Sequence, residues 1–223
     1  MAKLEIACFN IEAAKIAQEY GADRVELCAE MEVGGTTPSI EDIKSTRELL
    51  TIELNVMIRP RGGNFVYSTD EFIQMKKDIE DIKALGVDGL VFGILNEDNT
   101  VNVSQNKELV ELAYPLPCTF HRSFDDISDI EISLGEVIAC GFKTILTSGC
   151  EPNVDNGLEN LSTLVKLADN RIVIMPGGGL RSTNVGKVLR ETGATYFHSS
   201  AITDGGDTAI GDEVRALKQE ISH

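Results

Sequence analysis

Long apolar runs are missing from this 223-residue chain: no stretch approaches the roughly 18 apolar residues that a membrane-spanning helix needs. The opening residues Met1-Ala2-Lys3-Leu4-Glu5 carry no basic segment followed by an apolar one, so no secretory leader is expected. Positive charge is scarce. Twenty Lys and Arg face 36 Asp and Glu, a formal net charge of −16. Phosphate backbones and anionic lipid surfaces need positive protein surface, so nucleic acid and membrane partners are excluded. Cysteine is sparse and scattered. The five cysteines stand singly at 8, 28, 118, 140 and 150, with no CxxC zinc spacing and no disulfide framework. No GxGxxG follows the first strand-like segment, and no EF-hand pattern occurs around Asn96 to Asn99 or Asp125-Asp126. A reduced, cytoplasmic protein is the expectation.

What is present is an alternation. Strand patterns run over Lys3–Cys8, Arg24–Cys28, Glu53–Ile58, Gly89–Gly93, the stretch from Cys118, Lys143–Thr147, Arg171–Met175 and Thr195–His198. Helical patterns follow each, over Ile11–Tyr20, Ile40–Leu50, Ser68 to about Leu85, Ser104–Ala113, Ile130–Cys140, Leu158–Ala168, Ser182–Arg190 and Ile210–Ile221. Ser39 with Asp42 reads as a helix N-cap, Ser68 with Glu71 and Ser128 with Glu131 as capping boxes, and Ser182 as a cap. Eight strand-then-helix units imply parallel strands, and eight of them close into a (β/α)8 barrel. The open doubly wound sheet is the runner-up. The 42% hydrophobic content suffices for a full core, and no linker divides residues 1–223, so one domain is expected.

Strand side chains alternate faces. Val25 and Leu27 belong against the helices, which turns Glu26 and Cys28 inward. Leu4, Ile6 and Cys8 go outward and Glu5 inward. Leu54, Val56 and Ile58 go outward, leaving Asn55, Met57 and Arg59 inside. Thr119, His121 and His198 also point in. Barrel interiors are ordinarily Val, Ile and Leu. Glu5, Glu26, Arg59, His121 and His198 therefore form either a buried salt-bridge network or a site at the C-terminal face. The fifth strand runs out into His121, Arg122 and Asp125, which favours chemistry at that end.

Glycines Gly177, Gly178 and Gly179 follow the seventh strand, and Ser199 follows the eighth. Barrels commonly bind phosphate there, on backbone amides and a helix N-terminus. Arg59, Arg61 and Arg181 are available to add charge. Soft sulfur ligands select Cu(I). Cys8 and Cys28 end adjacent strands, and Met57 offers a thioether beside Cys28 as the fallback ligand.

Seven stretches stand out: Val25-Glu26-Leu27-Cys28, Gly34-Gly35-Thr36-Thr37-Pro38-Ser39, Met57-Ile58-Arg59-Pro60-Arg61-Gly62-Gly63, Val91-Phe92-Gly93, Thr119-Phe120-His121-Arg122, Leu146-Thr147-Ser148-Gly149 and Ile174-Met175-Pro176-Gly177-Gly178-Gly179. Together and in this order they resemble the CutC copper homeostasis family. The resemblance implies a single TIM barrel, a cytoplasmic location and a role in copper tolerance through Cu(I). It also implies metal-binding cysteines at the ends of the first two strands, here Cys8 and Cys28, although alternation sends these two to opposite faces.

Two functions are therefore carried forward. One is a cytoplasmic copper homeostasis protein binding Cu(I). The other is an enzyme acting on a small anionic or phosphorylated substrate. There the glycine turn, Ser199 and an Arg, Arg61 foremost, hold the anion, and His121 with Glu26 or Asp125, beside Arg59, does acid–base work. The partner is then copper or a small anion, and a homo-oligomer is possible in either case.

Overall fold

The structure, a computed structural model, describes residues 2–222. Strand and helix alternate eight times. The first half comprises β1 (Lys3–Cys8), α1 (Ile11–Glu19), β2 (Arg24–Leu27), α2 (Ile40–Leu49), β3 (Glu53–Met57), α3 (Thr69–Lys83), β4 (Gly89–Phe92) and α4 (Val103–Ala113). The second half comprises β5 (Cys118–Phe120), α5 (Ile130–Cys140), β6 (Thr144–Thr147), α6 (Leu158–Ala168), β7 (Val173–Pro176), α7 (Ser182–Thr192), β8 (Tyr196–Ser199) and α8 (Gly211–Glu220). Neighbouring strands pair in the order β7-β6-β5-β4-β3-β2-β1-β8, every ladder parallel. The ring is nearly closed. At its seam a Cβ placed on Gly177 would lie 3.1 Å from His198 Cβ. This is a single (β/α)8 TIM barrel.

Helix starts follow local chemistry. Asn10 accepts from the Ala13 amide and Ser39 from the Asp42 amide, satisfying donors that the first turn leaves orphaned. The Ser68–Glu71 capping box is complete in both directions. Two expected caps are corrected. Asp129, not Ser128, caps α5 by accepting from the Ile132 amide, because the helix starts one residue later than the Ser128–Glu131 spacing requires. Ser182 is the first helical residue of α7 rather than its cap, and its amide and hydroxyl both bond Glu213 of α8.

The fifth strand is shorter than its sequence suggests. After Phe120 the chain folds into a 3₁₀ turn over Arg122–Asp126. His121 caps that turn with its own ring, accepting from the Ser123 amide. Extended pairing ends there, and the polar residues that follow are redirected.

Register fixes the facing of every strand residue. Glu5 pairs with Arg24 and with His198, Glu26 with Asn55, Met57 with Val91, and Val91 with Thr119. Those residues share the inner face. Cys8 pairs with Leu27, and both belong to the outer face, packed under the helices with Leu4, Ile6, Val25, Leu54 and Val56. The barrel thus has two apolar regions: the large layer between sheet and helices, and a small inner cluster of Cys28, Met57 and Val91 against Phe9.

Candidate functional site

The lower interior is a charge network. Arg24 Nε lies 2.5 Å from Glu5 Oε2, and Asn55 Nδ2 donates to the same oxygen at 2.9 Å. Above it His198 Nε2 sits 2.7 Å from Glu26 Oε2 and 3.7 Å from Glu5 Oε1. Burial works against the charged form of His198. The Glu26 hydrogen bond and the charges of Glu26 and Glu5 outweigh it, and the pKa is raised. Two carboxylates thus face Arg24 and a histidine held toward its cationic form, which is how charge survives at this depth. Gly89 is required here, since any Cβ would overlap Asn55 Oδ1.

Over this network, at the C-terminal end of the strands, lies a cavity of about 100 Å³. Its wall brings together Glu26, Cys28, Met57, Arg59, His121 and His198, with Phe9, Phe65 and Leu146 as apolar panels and Arg122 at the rim. Four strands, β2, β3, β5 and β8, deliver Glu26, Cys28, Met57, Arg59, His121 and His198 to one place although up to 172 positions separate them. Three polar atoms in this wall are buried without a partner: Glu26 Oε1, Arg59 Nε and His121 Nε2. Such atoms are rare in folded proteins.

His121 is 3% exposed. Burial, with Arg59 as the second cause, lowers its pKa to about 3. Its Nδ1 accepts from the Ser123 amide at 3.2 Å, so in the neutral ring the hydrogen resides on Nε2. That N–H is the orphan donor. The seat exists because residue 93 is glycine: a Cβ there would collide with Ser123 Oγ and stand 3.0 Å from His121 Nδ1.

Arg59 is 4% exposed and has no carboxylate within ion-pair distance among the described residues. It donates instead to the carbonyls of Val33, Gly35 and Gly63 at 2.8–2.9 Å, tying together the loops after β2 and β3. Its guanidinium stacks 4.8 Å over Phe65, and Phe65 lies 4.9 Å from the His121 ring.

Other expected site residues are placed elsewhere. Asp125 turns away from His121. It accepts from Thr147 Oγ1, from the amides of Ser148 and Cys150 and from Arg122 Nε, anchoring the loop after β6. Arg61 leaves the barrel mouth to pair with Glu71 of α3 at 2.6 Å and to bond Asn64 and Val66. Gly177 serves close packing, since a Cβ there would come 2.5 Å from Leu146 Cδ1. Gly178 has φ +99° and lies directly against the Arg122 guanidinium. The carbonyls of Gly178 and Gly179 accept from Val154 N and Asn184 Nδ2. Ser199 Oγ donates to the Leu180 carbonyl and accepts from the Ala201 amide, facing outward rather than into the mouth. The N-terminus of α7 already holds an anion, the Glu213 carboxylate, 2.7 Å from both Ser182 N and Ser182 Oγ. The glycine turn and Arg61 are therefore not joined in one anion cradle.

The family model for the CutC family matches residues 2–203. The chain belongs to the CutC family. It is 43% identical over 198 residues to a Homo sapiens copper homeostasis protein cutC homolog, covering 89% of this chain and 72% of that protein. It is 45% identical over 199 residues to a CutC family protein of Parabacteroides distasonis, covering 89% and 82%. Its fold matches the crystal structure of the putative copper homeostasis protein CutC from Streptococcus agalactiae with a TM-score of 0.87 at 37% identity, over 91% of this chain and 100% of that one. Phosphoribosylanthranilate isomerase from Thermotoga maritima matches at a TM-score of 0.66 and 15% identity, a likeness of fold alone.

In this CutC chain the two cysteines that end β1 and β2 are backbone neighbours, the Cys28 amide donating to the Cys8 carbonyl at 2.9 Å. Their side chains diverge. Cys8 lies in the outer apolar layer with its thiol toward the Ile6 carbonyl, while Cys28 lies on the cavity wall. Met57 converges with Cys28. A Cβ on Gly35 would lie 3.3 Å from Cys28 Sγ and 3.7 Å from Met57 Cε. Burial, reinforced by the Glu26 charge, pushes both thiols well above their usual range. Arg24 and Phe65 are site residues that strand reading did not name, and Arg122, read at the end of the fifth strand, reaches the rim from the turn beyond it. Arg24 was accessible in principle, since it shares the period of Glu26. Phe65 arrives from a loop, where no periodicity exists to reveal it.

Proposed function

We propose that this chain is a cytoplasmic copper homeostasis protein that takes Cu(I) as cargo on Cys28 with Met57 beside it. The carrying observation is the convergence of these two sulfur side chains at Gly35, inside the cavity wall. A thiolate and a thioether form a soft donor set suited to Cu(I). Cys8 is a weaker candidate because its side chain lies across the sheet. Cu(I) binding at Cys28 displaces a thiol proton that burial otherwise retains, so affinity rises with pH. Competition with a Cu(I) chelator under anaerobic conditions tests the assignment. Cys28→Ser abolishes tight binding, Met57→Leu weakens it at least about tenfold, and Cys140→Ser leaves it unchanged. Retention of full affinity in Cys28→Ser removes the assignment.

A second reading is favoured by the unpartnered Glu26 Oε1 and His121 Nε2 in one cavity. In it the protein is an enzyme acting on a small anionic substrate. Glu26 moves a proton at Oε1, and the neutral His121 donates its Nε2–H to oxygen charge that develops on the substrate. Uptake of solvent deuterium by a panel of small anionic carbonyl compounds tests it. No uptake by any of them removes this reading.

A further inference from the structure

We propose that the cavity is a binding site for a small 2-hydroxycarboxylate of two carbons. The inference rests on the cavity of the second reading, though not on its chemistry. Three observations carry it, and each constrains one property of the ligand.

Arg59 sets the charge. A guanidinium 4% exposed with no carboxylate beside it is an uncompensated buried cation, and buried charges persist when paired. The three carbonyls it meets accept two hydrogens of Nη1 and one of Nη2, and Nε, on a side chain that lines the cavity, has no partner. His121 Nε2–H is a second free donor in the same wall. Two unpartnered donors on cavity-lining side chains, one of them cationic, match the two acceptor oxygens of a carboxylate.

Glu26 sets the second functional group. Its Oε2 is committed to His198, and its Oε1 is an acceptor without a donor. A carboxylate ligand alone would meet this oxygen with like charge. A hydroxyl on the adjacent carbon supplies the missing donor and separates the two anions.

Volume sets the size. The space of about 100 Å³ is smaller than the engineered cavity of about 150 Å³ that accepts the six heavy atoms of benzene, so fewer than about six heavy atoms fit, which admits the five of glycolate. The apolar panels Phe9, Phe65 and Leu146 suit the carbon side of such a molecule. Access is over the rim at Arg122, whose side chain is 43% exposed.

The test uses the full chain with glycolate, acetate and inorganic phosphate as probes, by calorimetry and by the ¹⁵N shift of His121 Nε2. Glycolate binds and moves that resonance, at least about tenfold tighter than acetate. Glu26→Gln, which keeps an oxygen for His198, reduces the preference to about threefold or less. His121→Phe, which keeps a ring against Phe65, weakens both carboxylates, and circular dichroism checks its fold. Cys140→Ser, at the end of α5 and outside the cavity wall, leaves glycolate affinity unchanged. Equal affinity for acetate and glycolate overturns the hydroxyl assignment. Phosphate binding without carboxylate binding, or no response of His121 to any probe, overturns the site. Glycolate binding with no deuterium uptake on any substrate leaves the site standing and removes only the enzyme reading. Deuterium uptake together with equal affinity for acetate and glycolate does the reverse.

Discussion

The neutral His121 makes a quantitative prediction about acid stability. In the folded chain its pKa lies at about 3, against 6.5 for the free side chain. Between those values the unfolded chain carries a proton that the folded chain rejects. Stability conferred by the depressed pKa is present above the unfolded value and is lost as pH falls toward the folded one. Full titration corresponds to roughly 5 kcal/mol, at about 1.4 kcal/mol per pKa unit. Carboxylates also titrate at the acid end, so the clean window lies higher. Between about pH 7.5 and pH 5 the loss from this one group is about 2 kcal/mol. His198 acts in the opposite sense. Its raised pKa stabilises fully below the unfolded value, and that stability disappears as pH rises through the folded one. A difference measurement separates the two. Urea unfolding of the native chain and of His121→Phe is recorded at several pH values across this window. The gap between their unfolding free energies narrows by about 2 kcal/mol toward the acid end. A gap independent of pH means that the folded protein accommodates a protonated His121, and the argument for a neutral donor in the cavity fails.

The interior pairing of Glu5 with Arg24 predicts that Arg24→Met, which strands a buried carboxylate, costs about 3–5 kcal/mol in chemical denaturation, whereas Lys3→Met on the exposed Glu53 pair costs under about 1 kcal/mol. Gly93→Ala drives a methyl into Ser123 Oγ and destabilises by about 1–3 kcal/mol, and Ser123→Ala in the same chain restores part of that loss; a neutral Gly93→Ala contradicts the packing. Asp125→Ala releases the loop after β6 and lowers the melting temperature by several degrees, while leaving glycolate binding within about twofold, because its carboxylate faces away from the cavity. A large loss of binding without loss of stability in Asp125→Ala returns that residue to the site.

The sequence by itself determined the architecture. Eight repeats of an apolar strand followed by an amphipathic helix leave few alternatives to a closed parallel barrel, because burial on both faces of the sheet needs a helix after each strand. Period-two alternation also turned Glu5, Glu26, Arg59 and His121 inward, whereas the facing of Cys8 and Cys28 was decided by the register, which pairs Cys8 with Leu27 and keeps the two thiols on opposite faces. Family membership was legible too, since motifs such as Met57–Gly63 and Thr119–Arg122 survive as local strings. Only the tertiary structure decided what each polar strand end does. His121 and Asp125 are four residues apart, yet one enters the cavity and the other holds the β6 loop, because a 3₁₀ turn reverses the chain between them. Arg59 and Arg61 part in the same way, one into the barrel and one onto Glu71. The glycine turn after β7 is equally divided in meaning. Its residues permit close packing on Leu146 and Arg122, while Glu213, 31 positions beyond Ser182, supplies the anion at the helix start. These choices depend on which loops meet over the barrel mouth, a long-range property that residue type and local spacing do not encode.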